Sequence, residues 1–66
     1  MKLIVNGEAR QVADAIPLAK LVEELRLTPG RLACEVNGAV VRRVDYATTS
    51  LSDGDIVEIV QMIGGG

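Results

Sequence analysis

The 66 residues suffice for one small domain with a thin core, and leave little room for an enclosed substrate pocket. Hydrophobic residues make up 48% of the chain, yet Tyr46 is its sole aromatic, so the core must be built from Val, Ile, Leu and Ala. A net charge of −2 offers no basic stripe for nucleic acid, and no apolar run nears the ~20 residues of a membrane span.

The chain opens with Lys2 and three apolar residues before Asn6-Gly7, too few for a secretory leader. The single Cys34 cannot form an internal disulfide. The expected location is therefore the cytoplasm. Lys2 to Val5 reads as a strand, and Asn6-Gly7 as a type I′ hairpin turn, which needs positive φ at both central residues. The return strand spans about Glu8 to Val12. Pro17 suits the first turn of a helix, where its missing N–H costs nothing. Leu18, Leu21, Val22 and Leu25 recur at i, i+3, i+4 and i+7, one apolar face of a helix running to about Leu25. Thr28-Pro29-Gly30 is its expected stop.

Leu32 to Val36 alternates, with Leu32, Cys34 and Val36 on one face and Ala33 and Glu35 on the other. Asn37-Gly38 is a second hairpin turn, returning through Val40-Val41. Residues 44–52 read as a short turn or a single helical turn. Asp53-Gly54-Asp55 reads as a turn in preference to a metal site, because two carboxylates at this spacing lack further oxygen ligands. Ile56 to Ile63 is the last strand. No metal site is expected.

Two hairpins flank one helix, and the helix can bury its apolar face only against a sheet. The last strand is apolar on both faces, so it belongs in the sheet's centre beside the first strand. The fold class expected is α+β, a β-grasp with a mixed sheet of about five strands and one main helix packed on one face. Residues 1–63 would form this domain and residues 64–66 a flexible tail. Val57 and Ile59 would face the helix. Ile4, Val60 and Met62 would form an apolar patch on the opposite face, a binding surface for a partner or for a second copy. Cys34 reads as a small buried hydrophobe. Arg42 and Arg43 read as a solvated strand end, with a partner contact as the other reading.

The sequence ends in Gly64-Gly65-Gly66. A run without Cβ atoms threads a slot that rejects any side chain, and three extended residues reach roughly 10 Å. That suits delivery of a terminal carboxylate into another protein's active site. Such a carboxylate is ionised at neutral pH and is a poor electrophile until an oxygen becomes a leaving group. The chain has no phosphate-binding loop and no histidine, so that activation must come from a partner.

Asn6-Gly7-Glu8, Leu21-Val22-Glu23-Glu24-Leu25, Glu35-Val36-Asn37-Gly38, the stretch from Leu51 to Val60 and the final Ile63-Gly64-Gly65-Gly66 occur in an order and length that resemble the ThiS family, the sulfur carriers of thiamine biosynthesis. The resemblance covers essentially the whole chain. It departs at Pro17, where members often carry a capping Thr. It implies a ubiquitin-like β-grasp fold and a carrier that is a protein co-substrate, not an enzyme. By resemblance, a ThiF-type adenylyltransferase uses ATP to activate the carboxylate of Gly66 as an acyl adenylate, with Gly64 and Gly65 as the flexible lead. A sulfur donor protein then converts it to a thiocarboxylate, and thiazole synthase receives the sulfur. The carrier itself binds no cofactor in this scheme.

Three relatives in fold make rival readings. The small subunit of molybdopterin synthase shares the tail and its chemistry, but is typically longer and tends to carry a Pro-Pro segment before the glycines. Regulatory modules of the TGS type share the Asn-Gly and Asp-Gly-Asp turns, but sit inside larger proteins. A protein-conjugating modifier differs in linking its last glycine to lysine.

Overall fold

The computed structural model describes residues 1–62. In chain order it holds β1 (Lys2–Val5), β2 (Glu8–Gln11), α1 (Leu18–Glu24), a 3-10 turn (Pro29–Arg31), β3 (Leu32–Val36), β4 (Ala39–Val41), a second 3-10 turn (Arg43–Thr48) and β5 (Ile56–Gln61). The strands form one mixed sheet in the order β2-β1-β5-β3-β4. β5 lies at the centre, parallel to β1 and antiparallel to β3. This is the β-grasp arrangement expected from two hairpins flanking one helix, with the last strand central beside the first.

Both hairpins turn through Asn-Gly with positive φ at each residue, +50° and +83° at Asn6 and Gly7 and +52° and +85° at Asn37 and Gly38. Those are type I′ turns, whose twist matches that of the flanking strands. The two asparagines also hold the central strand. Asn6 Nδ2 donates to the Ile59 carbonyl at 3.1 Å, and its Oδ1 accepts from the Ile59 N–H at 2.7 Å. Asn37 Oδ1 accepts from the Ile56 N–H at 2.9 Å, while its Nδ2 donates to Asp55 Oδ1 at 3.0 Å. Each side chain thus adds to the bond that its own backbone N–H makes to β5, Asn6 to the Val57 carbonyl at 2.9 Å and Asn37 to the Ile56 carbonyl at 2.7 Å. Asn6→Ala removes both bonds to Ile59 and places a Cβ residue without a local hydrogen-bonding group at φ > 0. It is expected to cost about 1–3 kcal/mol. An unchanged urea midpoint would show that the clamp contributes nothing.

The helix differs from the expected one at its start. Pro17 precedes the first helical residue as the N-cap, in extended conformation (φ −68°, ψ 148°), instead of occupying the first turn. The free Leu18 N–H is satisfied from outside the helix by the Thr49 carbonyl at 2.8 Å, and the Leu51 N–H bonds Ile16 O at 2.9 Å. These two bonds fasten the segment after the second 3-10 turn to the helix start. At the other end the last helical residue is Glu24 and Leu25 is the cap, as the apolar period indicated. Arg26 takes φ +59°. Its N–H bonds Glu23 O at 3.0 Å, and the Leu27 N–H bonds Val22 O at 3.3 Å. That pair of bonds is a Schellman motif, usually built on glycine.

Leu18, Leu21 and Val22 face the sheet and are fully buried. They meet Leu3, Val5, Leu32, Cys34, Val57 and Ile59 from the strands, closed at one end by Ile16, Tyr46 and Leu51. Among the described residues no polar or charged side chain is buried. Burial raises the Tyr46 phenol to about 12, with the adjacent Cys34 thiol adding to the effect, so the ring packs as a neutral group.

Candidate partner-docking face

In a β-strand successive side chains point to opposite faces, and residues directly opposite in a ladder share one. Val57 and Ile59 are buried toward the helix. Ile56, Glu58, Val60 and Met62 therefore project from the other face. β1 places Ile4 opposite Ile56. β3 places Ala33 opposite Val60 and Glu35 opposite Glu58, and β4 sets Val40 opposite Glu35. The helix is on the far side, so nothing among the described residues covers this face. Val60 is 59% exposed, Met62 55%, Ile56 50% and Val40 73%, while Ile4 is half-buried.

Ile4, Val60 and Met62, the patch expected from alternation, thus lie on one solvent-facing surface. Ile56 and Val40 belong to the same surface and were not singled out from sequence. The parity of β5 identifies Ile56, since it is two residues from Glu58. Val40 needed the hairpin register. Met62 continues the pairing beyond β5, its N–H bonding the Arg31 carbonyl at 2.7 Å. Ile63, Gly64, Gly65 and Gly66 lie outside the described residues.

The other candidates take structural roles. Asp53 Oδ1 accepts from the Lys2 N–H at 2.7 Å, and Asp55 Oδ2 accepts from the Ser52 N–H at 2.8 Å. Both carboxylates of the Asp-Gly-Asp turn are therefore engaged in holding it. Among the described residues no group of three or more His, Cys, Asp or Glu side chains is placed to hold a metal. Arg42 pairs with Asp45 at 3.1 Å. Cys34 is fully buried, as its place on the core face suggested. A shallow cleft of about 270 Å³ lies between the first hairpin and the helix end, lined by Val5, Asn6, Glu8, Ala9, Arg10, Leu25 and Leu27. Small-molecule sites usually fall in the range of ~300–1,000 Å³. Among the described residues no helix is long and apolar enough to cross a membrane.

A ubiquitin-like β-grasp domain with an uncovered apolar sheet face is thus a protein that presents a surface. The ThiS family model matches residues 3–66. The sulfur carrier protein ThiS of Escherichia coli K12 is 30% identical over 66 residues, spanning the whole of both chains. The crystal structure of the thiamine biosynthesis protein ThiS from Geobacter metallireducens superimposes with a TM-score of 0.86 at 33% identity, again covering both chains completely. A thiazole synthase of Paramagnetospirillum magneticum is 39% identical over 66 residues, and this chain spans 20% of its length. The chain belongs to the ThiS family.

Proposed function

We propose that this chain is a sulfur carrier of thiamine biosynthesis, acting in the cytoplasm as a co-substrate of partner enzymes. The observation that carries the reading is the continuity of surface and tail. β5 runs through the exposed apolar face, and the sequence that follows it is the glycine run, inside the family match. A docking face of this kind holds the domain while the glycines reach a partner's active site.

The chemistry follows from the carboxylate of Gly66. One of its oxygens attacks the α-phosphorus of ATP on a ThiF-type adenylyltransferase, releasing pyrophosphate and forming an acyl adenylate. The outer sulfur of a persulfide on a donor protein then attacks the acyl carbon and displaces AMP, giving an acyl disulfide. A second thiol attacks the donor-side sulfur of that disulfide, forming a disulfide with the donor and releasing the thiocarboxylate on Gly66. Thiazole synthase is the acceptor of that sulfur. That a thiazole synthase carries a segment 39% identical to this chain supports the pairing. Gly64 and Gly65 serve as the lead, and Ile4, Val60 and Met62 as the docking face.

The test is intact-protein mass spectrometry after incubation with the host's adenylyltransferase, ATP and a sulfur donor. A gain of one oxygen-to-sulfur exchange is expected. An unchanged mass, while a control carrier is loaded by the same enzymes, would overturn the proposal. The docking face has its own test. Val60→Asp puts a charge into the apolar surface without touching the buried core, so the melting temperature should hold. Affinity for the adenylyltransferase should fall about tenfold or more. Unchanged affinity by calorimetry would move the interface elsewhere.

A further inference from the structure

Glu35 and Glu58 stand directly opposite each other on β3 and β5, at the middle of the exposed face. Both are exposed, and neither takes part in an ion pair among the described residues. Like charges directly opposite on a sheet destabilise it. Apolar side chains surround them: Val40 next to Glu35 on β4, Val60 and Ile56 two residues either side of Glu58 on β5, and Ile4 beside Ile56 on β1. Desolvating this face with no cation opposite would strand two carboxylates inside an apolar contact, which is strongly unfavourable.

We infer that this face docks on a partner protein whose apolar contact surface presents an arginine to the Glu35–Glu58 pair. The inference rests on the sulfur-carrier reading and specifies the chemistry of the surface that the activating partner offers. A guanidinium suits the site better than an ammonium. Its fork of donors can engage two carboxylates at once, and it is more weakly hydrated, so burying it costs less. A second copy of this chain is a poor occupant. A two-fold interface centred on this face would bring the pair against its own image, and four carboxylates would meet. A nucleic acid is repelled by the same charges, and a lipid surface would bury them unpaired.

The experiment compares wild type, the double variant Glu35→Gln with Glu58→Gln, and Glu58→Lys. Each is titrated against the host's adenylyltransferase at low and high salt, with sulfur loading followed by mass spectrometry. Wild type should bind more weakly as salt rises. The double Gln variant keeps the size and hydrogen-bonding capacity of both side chains. It should melt no lower than wild type and bind about tenfold more weakly, while Glu58→Lys should lose about 100-fold. A double Gln variant that binds as wild type does, while Val60→Asp weakens binding, would overturn the charge inference and leave the carrier reading standing. A wild-type dimer in sedimentation equilibrium that Val60→Asp dissolves would overturn it in favour of a second copy. Wild-type protein that neither binds nor gains sulfur would overturn both.

Discussion

One alanine appended after Gly66 is expected to abolish sulfur loading completely. The reactive group in the proposed chemistry is the α-carboxylate of Gly66, and no other group in the chain can replace it. Converting it to an amide leaves no oxygen that can attack ATP. The new terminal carboxylate would sit one residue further along and carry a methyl group at its Cα. A slot shaped for glycine excludes that Cβ, and the displacement of roughly 3.5 Å exceeds what an in-line attack tolerates. Affinity for the adenylyltransferase should change far less, because the proposed docking face is untouched. The decisive readout is therefore a split between two measurements, with binding retained by calorimetry and the mass unchanged after incubation with ATP and the sulfur donor. Sulfur gained by the extended chain at the wild-type rate would remove Gly66 as the carrier residue.

The second large effect lies in the core. Leu21→Ala is expected to remove a substantial part of the folding free energy. Leu21 is fully buried on a helix of seven residues. A helix that short does not persist in water by itself, so its stability comes from the face it packs on the sheet. Deleting a buried leucine side chain costs about 2–5 kcal/mol in transfer and cavity terms. A domain of this size has only roughly 3–10 kcal/mol to lose. The melting temperature should fall by roughly 10–30 °C in a circular-dichroism scan. A fall of only a few degrees would mean that the helix is not seated on the sheet as described. The contrast with Val60→Asp is instructive. The two positions differ in chemistry by little, both being aliphatic, and in consequence by much, because one faces the helix-covered core and the other faces solvent.

Much of this architecture was legible in local patterns. The Asn-Gly pairs announced both hairpins because only a few residue types tolerate positive φ there. Leu18, Leu21 and Val22 showed the buried side of the helix, and the alternation of Leu32, Cys34 and Val36 showed that of β3. Such signals act over two to four residues, within the reach of a single turn or pleat. The end of the helix near Leu25 was legible from the apolar period, but the motif that closes it was not, because a Schellman motif at Arg26 has no mark in the sequence: its φ of +59° is imposed on a residue that does not favour it.

The glycine run and the lack of histidine follow from residue type alone, and the proposed carrier chemistry came from the resemblance to the ThiS family. The exposed apolar face proposed for docking could be read only in part. Alternation placed Ile4, Val60 and Met62 together once β5 was assigned a central position. The facing of Glu35 against Glu58, the entry of Val40 beside them and the hold of Asn6 on Ile59 all depend on register between segments far apart in the chain. No local preference specifies that register. It is set by the requirement that Leu3, Val57, Ile59 and Cys34 be buried together beneath the helix, and every residue on the opposite face takes its neighbours as a consequence of that choice.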